Sequence, residues 1–426
     1  MRCLERHRRP VLLLAPTGRA AKVFCTNAGG RQAFTIHRKI YRHSPDGAPS
    51  GYGPLAPADN KLRNAVIIVD EASMIGNSDE TGMNLLEDLV MYVFSGENCR
   101  LVLVGDTAQL PPVGAERSPA MSAEVLRSMG LKVTVAILTE TARQAADSGI
   151  LFNATRLRKV MALIASGRAG QIPPVPKLRS AGLDDVRIVE GSDLPDVISS
   201  AYDRADNGAA DSILITRSNK RAAEYNAAIR AQVLYREEVI ERGDMLIVSH
   251  NHYFQRRTEG LDFIANGDII TVEHVYGTET RFGHKYADVR ISIPSPTDDG
   301  KTVELDVKII LDTLGSPEAS MNQSERAALY SWLMSDSGPY ANISPDSRRW
   351  AVRNDPYWTA LQVKYAYAVT CHKAQGGQWH NVFVDLAYIP EDALGLSLYR
   401  WLYTAVTRAR TTLYLINPPE ALIADE

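Results

Sequence analysis

Two short apolar runs that end abruptly in acids limit the fold of this chain more than any other feature. Val66-Ile67-Ile68-Val69 breaks into Asp70-Glu71-Ala72-Ser73-Met74, and Leu101-Val102-Leu103-Val104 breaks into Gly105-Asp106-Thr107-Ala108-Gln109-Leu110-Pro111-Pro112-Val113. Apolar residues in succession, without polar alternation, suit a strand buried on both faces, as in parallel sheets covered by helices. The expected class is therefore α/β with parallel sheets. In open sheets of this kind the ligand sits at the carboxyl ends of the strands, so Asp70, Glu71, Asp106 and Gln109 become candidate site residues. Two carboxylates directly after a buried strand suit Mg²⁺ binding by the first and orientation or deprotonation of a water by the second. The first run alone also fits a strand end with solvated acids. The second, Gly-Asp-x-x-Gln-Leu-Pro-Pro-Val, is much rarer.

Length and charge set the bounds. With 426 residues, 45% of them hydrophobic, the chain has material for about two or three domains. A formal net charge of −3 means that a nucleic-acid partner has to be held by local patches rather than by a global field. Cys3, Cys25, Cys99 and Cys371 show no metal-ligand spacing, which suits reduced thiols and a cytoplasmic setting. No apolar run approaches a membrane span and no signal peptide is visible.

In chain order, a basic lead runs into the strand signal Val11-Leu12-Leu13-Leu14-Ala15 and then Pro16-Thr17-Gly18-Arg19-Ala20-Ala21-Lys22. This is not a phosphate loop, because Gly-x-x-x-x-Gly-Lys-Ser/Thr is absent there and throughout these residues. Phe34-Thr35-Ile36-His37-Arg38-Lys39 interleaves basic and aromatic side chains, which suits a nucleic-acid strand or an ordinary solvated helix face. Residues 44–60 read as a loop. Val133-Thr134-Val135-Ala136-Ile137-Leu138 reads as a further strand, ending in Thr139-Glu140-Thr141-Ala142-Arg143-Gln144; residues 145–165 read as helix, and Gly167 to Pro176 as a break. A second α/β unit opens at Ser212-Ile213-Leu214-Ile215-Thr216. From Asp244, four short β runs without intervening helices (245–248, 268–272, 287–291 and 303–307) point to a small barrel. His250-Asn251-His252 lacks nuclease spacing and reads as loop. Residues 361–370 read as strand leading into Cys371-His372-Lys373-Ala374-Gln375-Gly376-Gly377; Cys371 and His372 do not read as nucleophile and base, since neighbours in a strand point to opposite faces. Thr404 and Arg408, four apart, share a helix face.

These stretches, in this order, resemble the motifs of superfamily 1B DNA helicases, the RecD-like and Dda-like ATPases, with wording similar to those of Bacteroides-type bacteria. Ala-Pro-Thr-Gly-Arg-Ala-Ala-Lys (15–22) resembles motif Ia, Thr-x-His (35–37) motif Ib, the Asp70-Glu71 run the Walker B motif, and the Gly105–Val113 run motif III. Leu-Thr-Glu-x-x-Arg-Gln (138–144) resembles motif IV, Thr-x-His-Lys-x-Gln-Gly (370–376) motif V, and Tyr-Thr-Ala-x-Thr-Arg-Ala (403–409) motif VI. The resemblance implies tandem RecA-like domains of the P-loop NTPase class with an SH3-like insertion opened by Asn266-Gly267-Asp268. The implied division is a first motor domain at 1–165, a linker region at 166–210, a second motor domain at 211–265 and 356–426, and the barrel with its return connection at 266–355. ATP with Mg²⁺ is implied as cofactor. Asp70 would hold the metal, Glu71 would act on water, and Gly105, Asp106, Gln109, Arg143, Gly376 and Arg408 would surround nucleotide, the two arginines reaching the γ-phosphate from one cleft. Single-stranded DNA is the implied partner, along Pro16, Thr17, Gly18, Arg19, Phe34, Thr35, His37, Arg38, Thr370, His372 and Lys373, with 5′ to 3′ movement by a monomer and contacts to repair or recombination proteins. The family's phosphate loop belongs one strand-and-helix unit before motif Ia, where only ten residues stand. A wrongly assigned start, a gene fragment and a true remnant all fit, and the alternatives to an active motor are a non-catalytic strand-binding remnant and one part of a split enzyme.

Overall fold

The computed structural model describes residues 4, 6–43, 55–77, 84–138, 148–168, 174–258, 261–294, 302–316, 318, 321 and 323–424. The chain divides into two compact units. One holds Met1–Asp70, Glu87–Val102 and Glu237–Ala366; the other holds Glu71–Leu86, Leu103–Arg236 and Tyr367–Glu426. No described helix is long and apolar enough to cross a membrane.

The first unit contains a sheet in the order β2-β1-β5-β6, from β1 (Val11–Ala15), β2 (Ala33–Thr35), β5 (Val66–Val69) and β6 (Arg100–Leu103), beside a small ribbon of β3 (Tyr41–His43) and β4 (Leu55–Pro57). β1 pairs in parallel with β2 and β5, Leu14 lying opposite both Phe34 and Val69. Leu13, Leu14, Ala15, Ile67 and Val69 are buried, as continuous apolar runs require. β6 departs from the expected central strand. It ends the described sheet order, and with Val102 41% exposed its faces are not covered by packed layers as those of β1 are.

The unit's other half is a closed barrel, β12-β13-β14-β15-β9, made by β9 (Met245–Val248), β12 (Ile269–Arg281), β13 (His284–Pro294), β14 (Thr302–Ile310) and β15 (Leu361–Tyr365), with β10 (His252–Thr258) and β11 (Leu261–Ile264) as a separate hairpin. The expected barrel is therefore present. Its strands alternate: in β13, Ala287, Val289, Ile291 and Ile293 face the core while Asp288 and Arg290 face water, the period of two that one-sided burial imposes. Residues 361–370 do not run on into motif V as a single strand, because Leu361–Tyr365 pairs with β9 and β14 in the barrel while β16 (Ala368–Thr370) pairs with β8 (Ser212–Thr216).

The second unit carries a five-stranded sheet, β16-β8-β17-β18-β7, completed by β17 (Trp379–Asp385), β18 (Ala409–Ile416) and β7 (Val186–Val189). All its pairings are parallel. Residues 166–210, expected to link, supply β7 and the helix Leu194–Arg204. The expected strand at Val133–Leu138 does not form: the segment is irregular, with Val135 61%, Ile137 79% and Leu138 87% exposed. Apolar content gives a segment strand propensity, but a strand exists only with a pairing edge, and none among the described residues pairs with this one. The helix foreseen at 145–165 forms over Gly149–Ala165.

Candidate functional site

In the second unit, the turn after Leu103 is built around a close approach. A Cβ on Gly105 would lie 2.8 Å from the Ser73 nitrogen and 3.0 Å from Met121 Sδ, so only glycine fits without a shift. Asp106 then accepts from the Ala108 amide (3.0 Å) and from the Tyr403 hydroxyl (2.7 Å). Arg158 reaches the same carboxylate from the helix Gly149–Ala165, at 3.2 Å, and also the Tyr403 oxygen, at 2.9 Å. Burial, with Asp106 adding to it, pushes the Tyr403 phenol up to about 12, so it stays a donor. Leu110 is held at both ends of its peptide unit: its N–H donates to Thr404 Oγ1 (2.8 Å) and its C=O accepts from Gln375 Nε2 (3.1 Å). Thr404 and Gln375 are buried. Buried backbone groups held this way fix the loop, since losing a partner costs about 1–3 kcal/mol of uncompensated desolvation.

That clamp presents Gln109. Its Oε1 and the Ser73 Oγ are buried without a hydrogen-bond partner among the described residues, and both residues line a cavity of about 410 Å³ with Asp106, Arg117, Arg158 and Arg400. Polar atoms buried and unpaired are costly, and a ligand with donors or bound water answers that cost. Arg400 donates to the Glu116 carbonyl (2.6 Å); burial, and then Arg117, hold its guanidinium below the usual arginine value.

Motifs V and VI close the same unit. Arg408 is 3% exposed; its Nε donates to the Thr404 carbonyl, Nη1 to the Gly377 carbonyl and Nη2 to Thr407 Oγ1. Gly376 adopts φ +75°, the left-handed region that favours glycine. Thr370 precedes the short helix Cys371–Ala374. Burial lowers both His372 and Lys373, and the His372 ring bonds to the Pro111 carbonyl, which opposes part of its shift. The Cys371 thiol is pushed up to about 12 by burial, which rules it out as a nucleophile at neutral pH.

Two family models match the chain: an AAA domain over residues 1–115 and a UvrD-like helicase C-terminal domain over residues 365–416. Both segments are therefore similar to nucleoside-triphosphatase and helicase domains. The ATP-dependent RecD2 DNA helicase of Deinococcus radiodurans is 36% identical over 142 residues, 33% of this chain but 16% of that protein, so the chain matches a minor part of its curated relative. Among solved structures, the Pif1 helicase from Bacteroides in complex with ADP-AlF3 and ssDNA covers 98% of this chain and 85% of its own, at 16% identity and a TM-score of 0.47. Pif1 helicase from Candida albicans covers 100% and 89%, at 16% identity and a TM-score of 0.40.

In the first unit, Pro16 to Arg19 and Phe34 to Arg38 lie at the carboxyl ends of β1 and β2, whereas Thr370, His372 and Lys373 belong to the second. Thr17 and Thr35 each cap a helix, accepting from Ala20 N (3.2 Å) and Arg38 N (3.3 Å). Pro16 and Arg19 flank the first cap. A Cβ on Gly18 would lie 2.0 Å from Ala265 Cβ, so the helix Gly18–Asn27 and the turn before β12 meet at a glycine. Arg38 lies over the rings of Phe34 (5.8 Å) and Phe263 (5.1 Å), and His37 stands 5.7 Å from the Tyr41 ring. Asp70 closes this unit; its amide donates to the Leu14 carbonyl (2.9 Å). Glu71 opens the other at φ +52°, a conformation that strains a non-glycine residue and clusters at functional sites. Arg143 lies outside the described residues. Sequence reasoning passed over Arg158, Tyr403 and Arg400. Tyr403 stood inside a quoted motif, whereas nothing local marked Arg158, whose role depends on a helix packing beside a distant loop.

Proposed function

We propose that the chain is the motor portion of an ATP-driven DNA helicase or translocase moving 5′ to 3′ on single-stranded DNA. The observation that carries this reading is the Gln109 side chain, its Oε1 buried and unpaired on a loop whose Leu110 is fixed by Gln375 of motif V and Thr404 of motif VI. A residue that contacts a transferring phosphate needs that kind of fixed placement, because catalysis of phosphoryl transfer is mostly positioning and charge stabilisation. Asp70 suits Mg²⁺, which takes one or two carboxylates and completes its shell with phosphate oxygens and water; bound there, the ion would offset charge on the phosphates. Glu71 orients the attacking water, Gln109 holds it or a γ-phosphate oxygen, and Arg408, once released from its carbonyl contacts, balances developing charge, as Arg143 would. Gly105, Asp106 and Gly376 shape the loops around them. Pro16, Thr17, Gly18, Arg19, Phe34, Thr35, His37, Arg38, Thr370, His372 and Lys373 follow the DNA strand.

A second reading, strand binding without useful hydrolysis, is favoured for the 426-residue polypeptide itself, because none of its segments reads Gly-x-x-x-x-Gly-Lys-Ser/Thr, the cradle that holds the β-phosphate. DNA-stimulated ATPase assays separate the two. The polypeptide alone is expected to turn over far below about 1 per second, the low end for such phosphoryl-transfer enzymes, and addition of a strand-plus-phosphate-loop segment ahead of Met1 is expected to raise turnover to that level. Failure of the extended protein to hydrolyse ATP while still binding DNA would defeat the motor reading.

A further inference from the structure

The helix Pro345–Arg353 of the first unit starts from a Ser344 cap with proline in its first turn. One side of it is pinned. Val352 is fully buried with Leu329, Leu333 and Trp358. Arg348 donates to the carbonyls of Met334 (2.8 Å) and Ala341 (2.7 Å) and to Asp336 (3.0 Å), with its side chain only 12% exposed. The remaining side presents Arg349 (side chain 62% exposed), Trp350 (68%) and Arg353 to solvent.

Neither feature helps the fold. A tryptophan left in water forgoes the large burial that its ring offers. Arg349 and Arg353 stand four apart, so their like charges share a face and oppose each other; the nearby Asp346 meets Arg349 at 3.5 Å, and an exposed contact of that length contributes little. A rigid helix that bears these costs has a surface suited to a ligand with a flat π-face and repeated negative charge. Bases stack on exposed aromatic rings irrespective of sequence, while guanidinium groups take the phosphates on either side. An apolar protein partner fits poorly, since two guanidinium groups share this exposed surface with the ring.

We propose that Arg349, Trp350 and Arg353 form a contact for single-stranded nucleic acid, additional to the motif Ia and Ib strand path and resting on none of its residues. In the first unit this would let the helix beyond the barrel grip a strand independently of nucleotide. The test is fluorescence anisotropy of the full chain with a fluorescein-labelled oligo-dT over a series of salt concentrations. R349A/R353A should weaken binding and flatten the slope of log affinity against log salt by about 1.4, from about 0.7 per released phosphate contact on a single strand. W350A should weaken binding about tenfold, within the range of one lost stack, while W350F largely restores it. All three side chains are exposed, so thermal unfolding by circular dichroism should match the parent protein. If W350A and R349A/R353A bind with parental affinity and salt slope, as they would were the patch a protein-docking surface, the proposal is overturned. Arg38→Ala separates it from the motor reading: loss with Arg38→Ala alone supports only the motif path, loss with the helix variants alone supports only this contact, and additive losses support both.

Discussion

At the strand ends of the first unit the candidate contacts are local caps and half-buried rings, whereas the Gly105–Val113 loop of the second is tied inward by side chains from distant segments. Thr17 and Thr35 each cap their own helix, three residues away. Thr404 instead holds Leu110, a residue 294 positions earlier in the chain. The difference matches the two chemistries proposed for them. A nucleic-acid strand is long and deformable, and is gripped by stacking and charge that tolerate movement. A phosphate in transfer demands donors and acceptors fixed to within a fraction of an ångström. The first region therefore takes its form from local sequence, and the second from tertiary closure.

The two glycines offer the strongest way to break this contrast. Gly18→Val should destabilise by about 3 kcal/mol or more, because overpacking against a contact this close forces backbone shifts; urea unfolding measures it. Gly105→Val is expected to cost somewhat less, about 1–3 kcal/mol by the same principle, since Met121 Sδ is flexible although the Ser73 nitrogen is not. Equal and negligible losses would mean that neither close approach holds in solution.

Thr404→Val removes the acceptor for the Leu110 amide while keeping the shape. The expected loss is about 1–3 kcal/mol, the cost of a buried donor left unpaired, with a parallel fall in any nucleotide-dependent activity. A loss confined to activity would show that the clamp positions the loop without supporting the fold. Arg38→Ala removes a half-buried side chain that lies over the Phe34 and Phe263 rings, so it should cost about 1 kcal/mol of stability, weaken oligo-dT binding and reduce the salt slope by about 0.7. An unfolding change larger than its binding change would place Arg38 among structural residues instead.

The smallest effect concerns pH. Burial holds His372 below the ordinary histidine value of 6.5, so the folded chain binds fewer protons there than the unfolded one. Stability from this group is therefore present above the unfolded value and is lost as pH falls through and below it toward the folded value. His372→Gln should lose less melting temperature than the parent when pH drops from roughly 7 to 5. A steeper loss in the variant would reverse the assignment.

Continuous apolar runs announced β1, β5 and β8, and a short β run without a following helix announced β13, because burial leaves a direct imprint on residue order. The acidic and polar residues that end those runs mark Asp70, Glu71, Asp106 and Gln109 as site candidates, and the glycine and proline pattern of 105–113 marks a loop of uncommon wording. Partners were not written there. Val133–Leu138 has the composition of a strand and stays exposed, β6 has the composition of a central strand and ends the described sheet, and Leu361–Tyr365 serves the barrel rather than the five-stranded sheet. Each outcome depends on which edge lies alongside, and an edge is a property of the assembled sheet. In the same way, Tyr403 and Arg158 meet at Asp106 only because a helix and a loop separated by dozens to hundreds of residues pack together. Local patterning determined which segments could become strands and which residues would stand at their ends; long-range packing decided which segments pair and which of those groups are buried and held in place.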